Sequence, residues 1–177
     1  MERHGARPKG RPDGLYAALS LLIAACGSSQ GSADGSVADA PAPPAATLRL
    51  GEGAAAFRAI EDGDTLLVAM GCQGSQHVWM SLQSEGLEPR RITVELSLSR
   101  VSDGSLVTLP FRIDLSFTPD ASGAFAQITG VTLQVPLPDE ALGQDLLLVG
   151  RLADRAGVTA TSQRRVRIAW GTEICSV

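Results

Sequence analysis

The clearest structural pattern in the chain is Arg91-Ile-Thr-Val-Glu-Leu-Ser-Leu-Ser99, in which apolar and polar side chains alternate without a break. In an extended chain this alternation places all apolar residues on one face and all polar residues on the other. An amphipathic helix would instead need apolar residues three and four positions apart. The stretch therefore predicts an antiparallel strand with one buried face and one solvated face. The predicted buried face consists of Ile92, Val94, Leu96 and Leu98.

Three later stretches repeat this alternation, and four less regular apolar runs complete a set of about eight predicted strands. The less regular runs cover residues 47–50, 65–71, 76–82 and 145–153. Glycine-containing turn signals separate the runs, namely Asp62-Gly63, Asp103-Gly104, Ser122-Gly123 and Ala156-Gly157. Short strands at this spacing, with no convincing helical stretch, predict an all-β fold and specifically an antiparallel β-sandwich. The further predicted buried faces are Phe111, Ile113, Leu115 and Phe117; Val131, Leu133, Val135 and Leu137; and Val166, Ile168 and Trp170.

The first 25 residues have the pattern of a secretory signal peptide. Four basic and two acidic residues precede the apolar run Leu15-Tyr-Ala-Ala-Leu-Ser-Leu-Leu-Ile-Ala-Ala25. As a helix this run would span only about 16 Å, against roughly 30 Å for the hydrocarbon core of a bilayer. We therefore expect residues 1–25 to be removed rather than to remain as a membrane span.

The end of this segment, Ile23-Ala24-Ala25-Cys26, resembles the lipobox of bacterial lipoproteins. The resemblance implies that the chain is cut before Cys26 and that Cys26 carries the acyl chains, palmitate among them, of a membrane anchor. Several acyl chains are needed for stable anchoring, because one chain binds a membrane only marginally. Gly27 stands where an Asp often signals retention in the inner membrane, so the resemblance favours an outer-membrane lipoprotein facing the periplasm or the cell surface.

The sequence predicts three segments: the signal peptide, a disordered linker over residues 26–46, and a β domain over residues 47–177. The linker is rich in Gly, Ser, Ala and Pro and cannot bury enough apolar surface to order itself. The chain holds 15 basic and 19 acidic residues, so removing the signal peptide leaves a formal charge of about −6. This charge argues against nucleic acid as a partner.

Two cysteines, Cys72 and Cys175, remain once Cys26 is lipidated. An even number of cysteines in an oxidising compartment predicts a disulfide between them, and a metal or redox pair is the alternative. The strand pattern, together with Trp79 on the strand after Cys72, loosely resembles bacterial immunoglobulin-like domains. The resemblance implies an immunoglobulin-like sandwich, although Cys175 ends the last strand and Trp79 follows Cys72 more closely than in antibody domains.

The most unusual segment is Met70-Gly-Cys-Gln-Gly-Ser-Gln-His-Val-Trp-Met80. Its Cys, His and Met suit copper, as in cupredoxins, but such a site needs two histidines and a free thiolate. Strand alternation also separates Met80 from His77 and leaves Val78, Met80 and Leu82 for the core. We therefore expect no metal and take Gln73, Gln76, His77 and Trp79 as a possible binding patch.

Calcium is a second metal hypothesis, because carboxylates are frequent, but no D-x-[DN]-x-[DN]-G loop is present. The match to G-x-S-x-G at residues 27–31 lies in the linker and not at a strand-to-helix turn, so no catalytic residue is predicted. The leading hypothesis is a lipid-anchored, non-catalytic envelope protein without a cofactor, whose β domain binds an unknown envelope protein. The alternative is a copper-, calcium- or small-ligand-binding lipoprotein that uses residues 70–80. The carboxylates concerned are Glu61, Asp62, Asp64, Asp103, Asp114 and Asp154.

Overall fold

The protein is described by a computed structural model that covers residues 45–71 and 74–171. Within these ranges it forms ten strands, one 3₁₀ turn and no α-helix, so the all-β prediction is confirmed. All eight predicted strands are found, and two two-residue strands, β2 and β7, are additional. The strands are β1 (Thr47–Glu52), β2 (Arg58–Ala59), β3 (Thr65–Met70), β4 (Gln76–Glu85), β5 (Ile92–Arg100), β6 (Phe111–Leu115), β7 (Thr118–Pro119), β8 (Ala126–Gln134), β9 (Leu146–Ala153) and β10 (Thr159–Trp170), and the 3₁₀ turn is Pro138–Glu140.

The strands form one curled, mixed sheet in the order β2-β1-β4-β3-β10-β9-β5-β6, while β8 pairs with the other side of β4 and β7 pairs with β8. The predicted antiparallel pairing holds for every described pair except β3 with β10, which is parallel. Strand β10 can pair with two partners in succession because it has 12 residues and β9 has eight. Residues 159–166 of β10 pair with β9, and residues 167–170 continue beyond it and pair with β3.

The core lies inside the curl of the sheet. The four predicted inward residues of β5 are at most 2% exposed. Gly150 of β9 faces β1, and a Cβ there would lie 2.6 Å from Cδ2 of Leu50 and 3.2 Å from Cδ2 of Leu48. Because no backbone pairing joins β1 to β9, these contacts come from the sheet curling until its two parts face each other.

Three residues that alternation places in the core are exposed instead, and each lies where the sheet stops. Ile113 is 46% exposed because β6 is the last strand of the sheet and pairs only with β5 among the described strands. Leu137 is 61% exposed because it follows the end of β8 and precedes the 3₁₀ turn. Trp170 is 39% exposed at the end of β10, where its indole Nε1 donates a hydrogen bond to Oδ1 of Asp139 over 2.9 Å.

The predicted turn at Asp103-Gly104 begins the long connection between β5 and β6. Gly104 has a φ of 73°, in the left-handed region that glycine enters without a Cβ clash. The Asp103 carboxylate accepts hydrogen bonds from the hydroxyl and the backbone N–H of Ser105, over 2.7 and 2.9 Å. These two bonds, the hydroxyl bond first, hold the pKa of Asp103 below its ordinary value.

Candidate functional site

The sequence-predicted patch lies on β4, and both faces of β4 are covered. Val78, Met80 and Leu82 are at most 1% exposed on the inner face, as predicted for core residues. On the outer face His77 and Gln83 are 6% and 7% exposed, and Ser81 is fully buried. Strand β4 is flanked by β8 on one side and by β1 and β3 on the other, so its outer side chains have neighbours on both sides.

Two of the predicted patch residues, His77 and Trp79, contact each other. Their rings meet edge to face with centroids 4.7 Å apart, and Trp79 is half-buried. Nε2 of His77 and Nε1 of Trp79 are both buried, and neither has a hydrogen-bond partner among the described residues. Gln76 is half-buried beside them, and Gln73 lies outside the described residues. The His77 side chain is therefore packed into the structure, whereas Gln76 and Trp79 keep part of their surface exposed.

The segment after β1 covers the middle of this outer face. The N–H of Gly53 donates to the carbonyl of Trp79 over 3.0 Å, and the Ser81 hydroxyl donates to the carbonyl of Glu52 over 2.9 Å. A Cβ on Gly51 would overlap the ring of Phe57, so this ring lies directly over β1, next to Ser81 of β4. The polar outer face of β4 is thus closed by its own chain.

A row of polar side chains crosses three neighbouring strands beside Phe57. Nη1 of Arg49 donates to Oε1 of Gln83 over 3.2 Å, and Nε2 of Gln83 donates to Oε1 of Gln127 over 3.3 Å. The guanidinium of Arg49 also lies between two aromatic rings, 5.5 Å from the centroid of Phe57 and 5.2 Å from that of Phe125. Such cation–π contacts stabilise by about 0.5–1 kcal/mol at exposed sites. Alternation puts these residues on outer faces, but only the strand register shows that they form one row.

Three exposed leucines line one cavity elsewhere, beside the connection from β5 to β6. We call Leu106, Leu109 and Leu137 the leucine surface; they are 57%, 48% and 61% exposed. All three line one open cavity of about 200 Å³ together with Arg100, Pro136 and Glu140. Leu106 also lines a neighbouring groove of about 360 Å³, whose walls include Leu96, Pro110 and Phe111.

The connection itself holds Leu106 and Leu109 outward. Between them, Val107 and Thr108 are 8% and 5% exposed. The Val107 N–H donates to the carbonyl of Leu98 over 2.8 Å, and Thr108 Oγ1 accepts from the Leu98 N–H over 3.2 Å. Because the two middle residues are bound to β5, the leucines on either side remain on the surface.

Arg100 connects this segment to the 3₁₀ turn that follows Leu137. Its guanidinium donates to Ser105 Oγ over 2.9 Å, to Gln144 Oε1 over 3.0 Å and to the carbonyl of Glu140 over 3.2 Å. One side chain thus holds together the two segments that carry the leucine surface. Because Leu109 and Leu137 are far apart in the sequence, no local sequence pattern predicts that they lie on one surface.

Five of the six carboxylates considered for calcium accept hydrogen bonds from groups of the protein itself, Asp103 among them. Asp62 accepts from the Arg165 N–H, Asp64 from the Glu61 N–H, and Asp114 from the Thr93 hydroxyl. Asp154 accepts from the N–H groups of Glu88 and Val158, and these bonds, that of Glu88 first, lower its pKa. Residues 45–71 and 74–171 contain no group of three or more His, Cys, Asp or Glu side chains that could hold a metal ion.

The predicted lipidation site, Cys26, and the predicted disulfide partners, Cys72 and Cys175, lie outside the described residues. In the described ranges no helix is both long enough and apolar enough to cross a bilayer. Comparison of the chain with protein-family models, with curated proteins and with solved structures finds no match.

Proposed function

We propose that the protein is a lipid-anchored, non-catalytic envelope protein whose β domain binds another envelope protein through the leucine surface. The observation that supports this most strongly is the exposure of three leucines side by side, in a fold that buries most other large apolar side chains. Contiguous apolar surface on a soluble domain is typical of an interaction site, whereas scattered apolar residues need no explanation.

The shape and charge of the leucine surface favour an apolar protein segment as its occupant. Its cavity of about 200 Å³ is open and suits one or two protruding side chains rather than a whole small molecule. Its two charged residues, Arg100 and Glu140, have opposite signs, and their charged atoms lie 3.7 Å apart. An apolar centre with a polar, internally paired rim is the usual anatomy of a protein interface.

Photocrosslinking in cells that produce the protein tests this proposal. A photoreactive amino acid at Leu137 should give one discrete adduct, which Leu109→Ser should reduce severalfold. The matched control is the same amino acid at Leu67, a leucine 52% exposed on β3 that lines none of the cavities beside the leucine surface. Equal crosslinking from both positions, or none from Leu137, would contradict the proposed role.

The proposed address is the outer membrane, with the anchor on Cys26. The basic start, the short apolar run and Ile23-Ala24-Ala25-Cys26 support it. Mass spectrometry of the mature N-terminus should find a triacylated Cys26, and a chain that still starts at Met1 would overturn the proposal. Intact mass before and after reduction tests the proposed disulfide between Cys72 and Cys175 in the same sample.

We also propose that the curled sheet is an immunoglobulin-like sandwich. The contacts of Leu48 and Leu50 with Gly150 support this, because they join strands that are not hydrogen-bonded to each other. The change of partner along β10, from β9 to β3, supports it as well, since strands that switch sheets are common in sandwich and barrel folds. An experimental structure with two facing layers about 10 Å apart is the expected result.

The second candidate function is binding of copper, calcium or a small polar ligand near residues 70–80. One observation favours it: Nε2 of His77 and Nε1 of Trp79 are buried without a partner among the described residues. A ligand that binds only the folded protein raises the thermal midpoint, by an amount that grows with its concentration. An unchanged midpoint at saturating copper and calcium would exclude the two metals.

A further inference from the structure

Strand β6 has an unpaired edge. Its inner neighbour is β5, and no strand of the described ranges pairs with its other side. Arg112, Ile113 and Asp114 are all exposed. Ile113 is the apolar residue among them, and 46% of its surface is exposed. A free strand edge presents backbone donors and acceptors to any chain that can align with it.

The groups on that free edge can be identified from the pairing of β5. The carbonyl of Leu98 accepts a hydrogen bond from Val107, which lies on the β6 side of β5. Backbone groups in an antiparallel pair alternate in direction, so Val94 and Leu96 also point towards β6 and bond to Ile113 and Phe111. The N–H and carbonyl groups of Arg112 and Asp114 therefore point away from β5, into the free edge.

The sequence of β6, Phe111-Arg-Ile-Asp-Leu115, is complementary to itself when it is reversed about Ile113. In an antiparallel pair centred there, Arg112 of one copy lies opposite Asp114 of the other, and the same pair recurs across the two-fold axis. Phe111 lies opposite Leu115, and the two Ile113 side chains meet at the axis. We propose that β6 is the interface through which a second copy of this chain adds to the sheet.

Backbone geometry fits this register. Arg112 and Asp114 become hydrogen-bonded pairs across the interface, which gives four backbone hydrogen bonds. Ile113 becomes a non-hydrogen-bonded pair, the kind whose side chains approach most closely. The 46% of Ile113 that is exposed in the single chain is then covered by its own counterpart.

Charge selects this register over its neighbours. A shift by two residues in one direction places Arg112 opposite Arg112 and brings in Pro110, which has no N–H to donate. A shift by two in the other direction places Asp114 opposite Asp114. Like charges directly opposite each other destabilise an antiparallel pair, whereas opposite charges stabilise it. An interface with one favoured register closes as a two-fold dimer and does not grow into a fibre.

Arg112 and Asp114 each contact strand β5 within the single chain, and the ends of β6 are held as well. Nη1 of Arg112 lies 2.6 Å from Oε1 of Glu95, and Oδ1 of Asp114 accepts from the Thr93 hydroxyl over 2.8 Å. The chain on both sides of β6 is also held, by the Leu109 N–H on the carbonyl of Gln134 and by Thr118 paired with Gln127. A strand ordered at both ends loses little further entropy when a second strand binds.

Charge exchange provides the decisive test, with the full-length protein in a mild non-ionic detergent. Arg112→Asp makes the edge acidic and Asp114→Arg makes it basic, so each variant alone should associate with itself roughly tenfold or more weakly than the unchanged protein. A 1:1 mixture of the two variants should form heterodimers, because each basic edge then meets an acidic one. Sedimentation velocity on the separate and mixed samples, with one variant dye-labelled, measures both effects.

A second variant guards against misfolding of the charge variants. Ile113→Lys adds a charge at an already exposed position and places two ammonium groups together on the two-fold axis, so it should be monomeric. Leu67→Lys, at a comparably exposed leucine on β3, should dimerise like the unchanged protein. An unchanged protein that stays monomeric at about 1 mM would overturn the proposal, as would folded charge variants that fail to associate on mixing. Arg112 lines the groove that also contains Leu106, but Ile113 and Asp114 line neither cavity beside the leucine surface. Failure of Ile113→Lys and Asp114→Arg to weaken self-association is therefore distinguishable from failure of the proposed function.

Discussion

Strands β5 and β6 have the same alternating sequence pattern and pair with each other, yet they differ in burial. Val94 of β5 and Ile113 of β6 are register partners, and Val94 is 0% exposed while Ile113 is 46% exposed. Strand β5 has β9 on its other side, whereas β6 has no second partner among the described strands. Alternation thus shows which face of a strand is apolar, and the number of neighbouring strands decides whether that face is buried.

Substitution of a buried residue of β5 should change the stability of the protein most. Leu98→Ala should lower the free energy of unfolding by about 2–5 kcal/mol, because it removes fully buried methyl groups and leaves a cavity. Denaturant titration measures the change. Leu67→Ala is the control: because Leu67 is 52% exposed, this substitution should lower the free energy of unfolding by no more than about 0.5 kcal/mol. Similar losses at both positions would contradict the burial described for β5.

The second largest loss of stability is expected for a substitution in β9, the strand that pairs with β5 on the side away from β6. Gly150→Ala should destabilise by about 1–3 kcal/mol, because the new Cβ would meet Leu50, Leu48 and Leu96 at 2.6, 3.2 and 3.3 Å. Combining it with Leu50→Ala makes room for the Cβ, so the double variant should lose less than the two single variants together. Strict additivity in thermal or chemical unfolding would argue against the contact between β1 and β9.

A smaller effect comes from Asp154, which ties the end of β9 to the segment before β5. Oδ2 accepts from the Glu88 N–H over 3.1 Å and Oδ1 from the Val158 N–H over 2.9 Å, and these bonds lower the pKa of Asp154 below its ordinary 3.8. A lowered folded-state pKa stabilises the fold above the unfolded-state pKa, and this stability is lost as the pH falls through the folded-state value.

Asp154→Asn should therefore be less stable than the unchanged protein at neutral pH, because an amide can accept only one of the two bonds. The difference in urea midpoint between the two proteins should shrink as the pH falls below 3.8. Asp139→Asn serves as the control, since among the described residues its carboxylate accepts a side-chain hydrogen bond from Trp170 alone. A gap that stays constant down to pH 2 would show that the carboxylate charge is not involved.

The smallest effect is expected on the exposed side of the comparison. Ile113→Thr keeps the β-branched shape and should change the free energy of unfolding by no more than about 0.5 kcal/mol in dilute protein. The same substitution should weaken self-association measured at high concentration, because Ile113 lies on the proposed axis. A loss above about 2 kcal/mol in dilute protein would mean that β6 is covered after all.

Much of the fold could be predicted because strand patterns and turn signals are local. The period of two identifies β5, and the predicted turn at Asp103-Gly104 forms with Gly104 in the left-handed region. The parallel pairing of β10 with β3 could not be predicted, since strand alternation does not show which strands become neighbours or in which direction they run. The exposure of Leu137 and Trp170 could not be predicted either, because a period of two does not show where the opposing layer ends.

The candidate sites were less predictable than the strands. Sequence reasoning selected His77 and Trp79 for their rarity, but the segment after β1 and the flanking strands cover the face on which they lie. It did not select Leu106 and Leu109, because both lie in an irregular connection whose middle residues are bound to β5. The exposure of a residue depends on which other segments pack around it, and a single sequence does not show this packing.

The all-β class, the inner residues of β5 and the turn positions follow from the sequence, because they depend on neighbours within a few residues. The cover on both faces of β4, the position of β6 as the last described strand of the sheet, and the meeting of Leu137 with Leu106 and Leu109 are visible only in the folded chain. Each of these depends on contacts between residues that are distant in the chain. A side chain is buried by residues of several strands, whereas the alternation of apolar and polar residues describes one strand at a time.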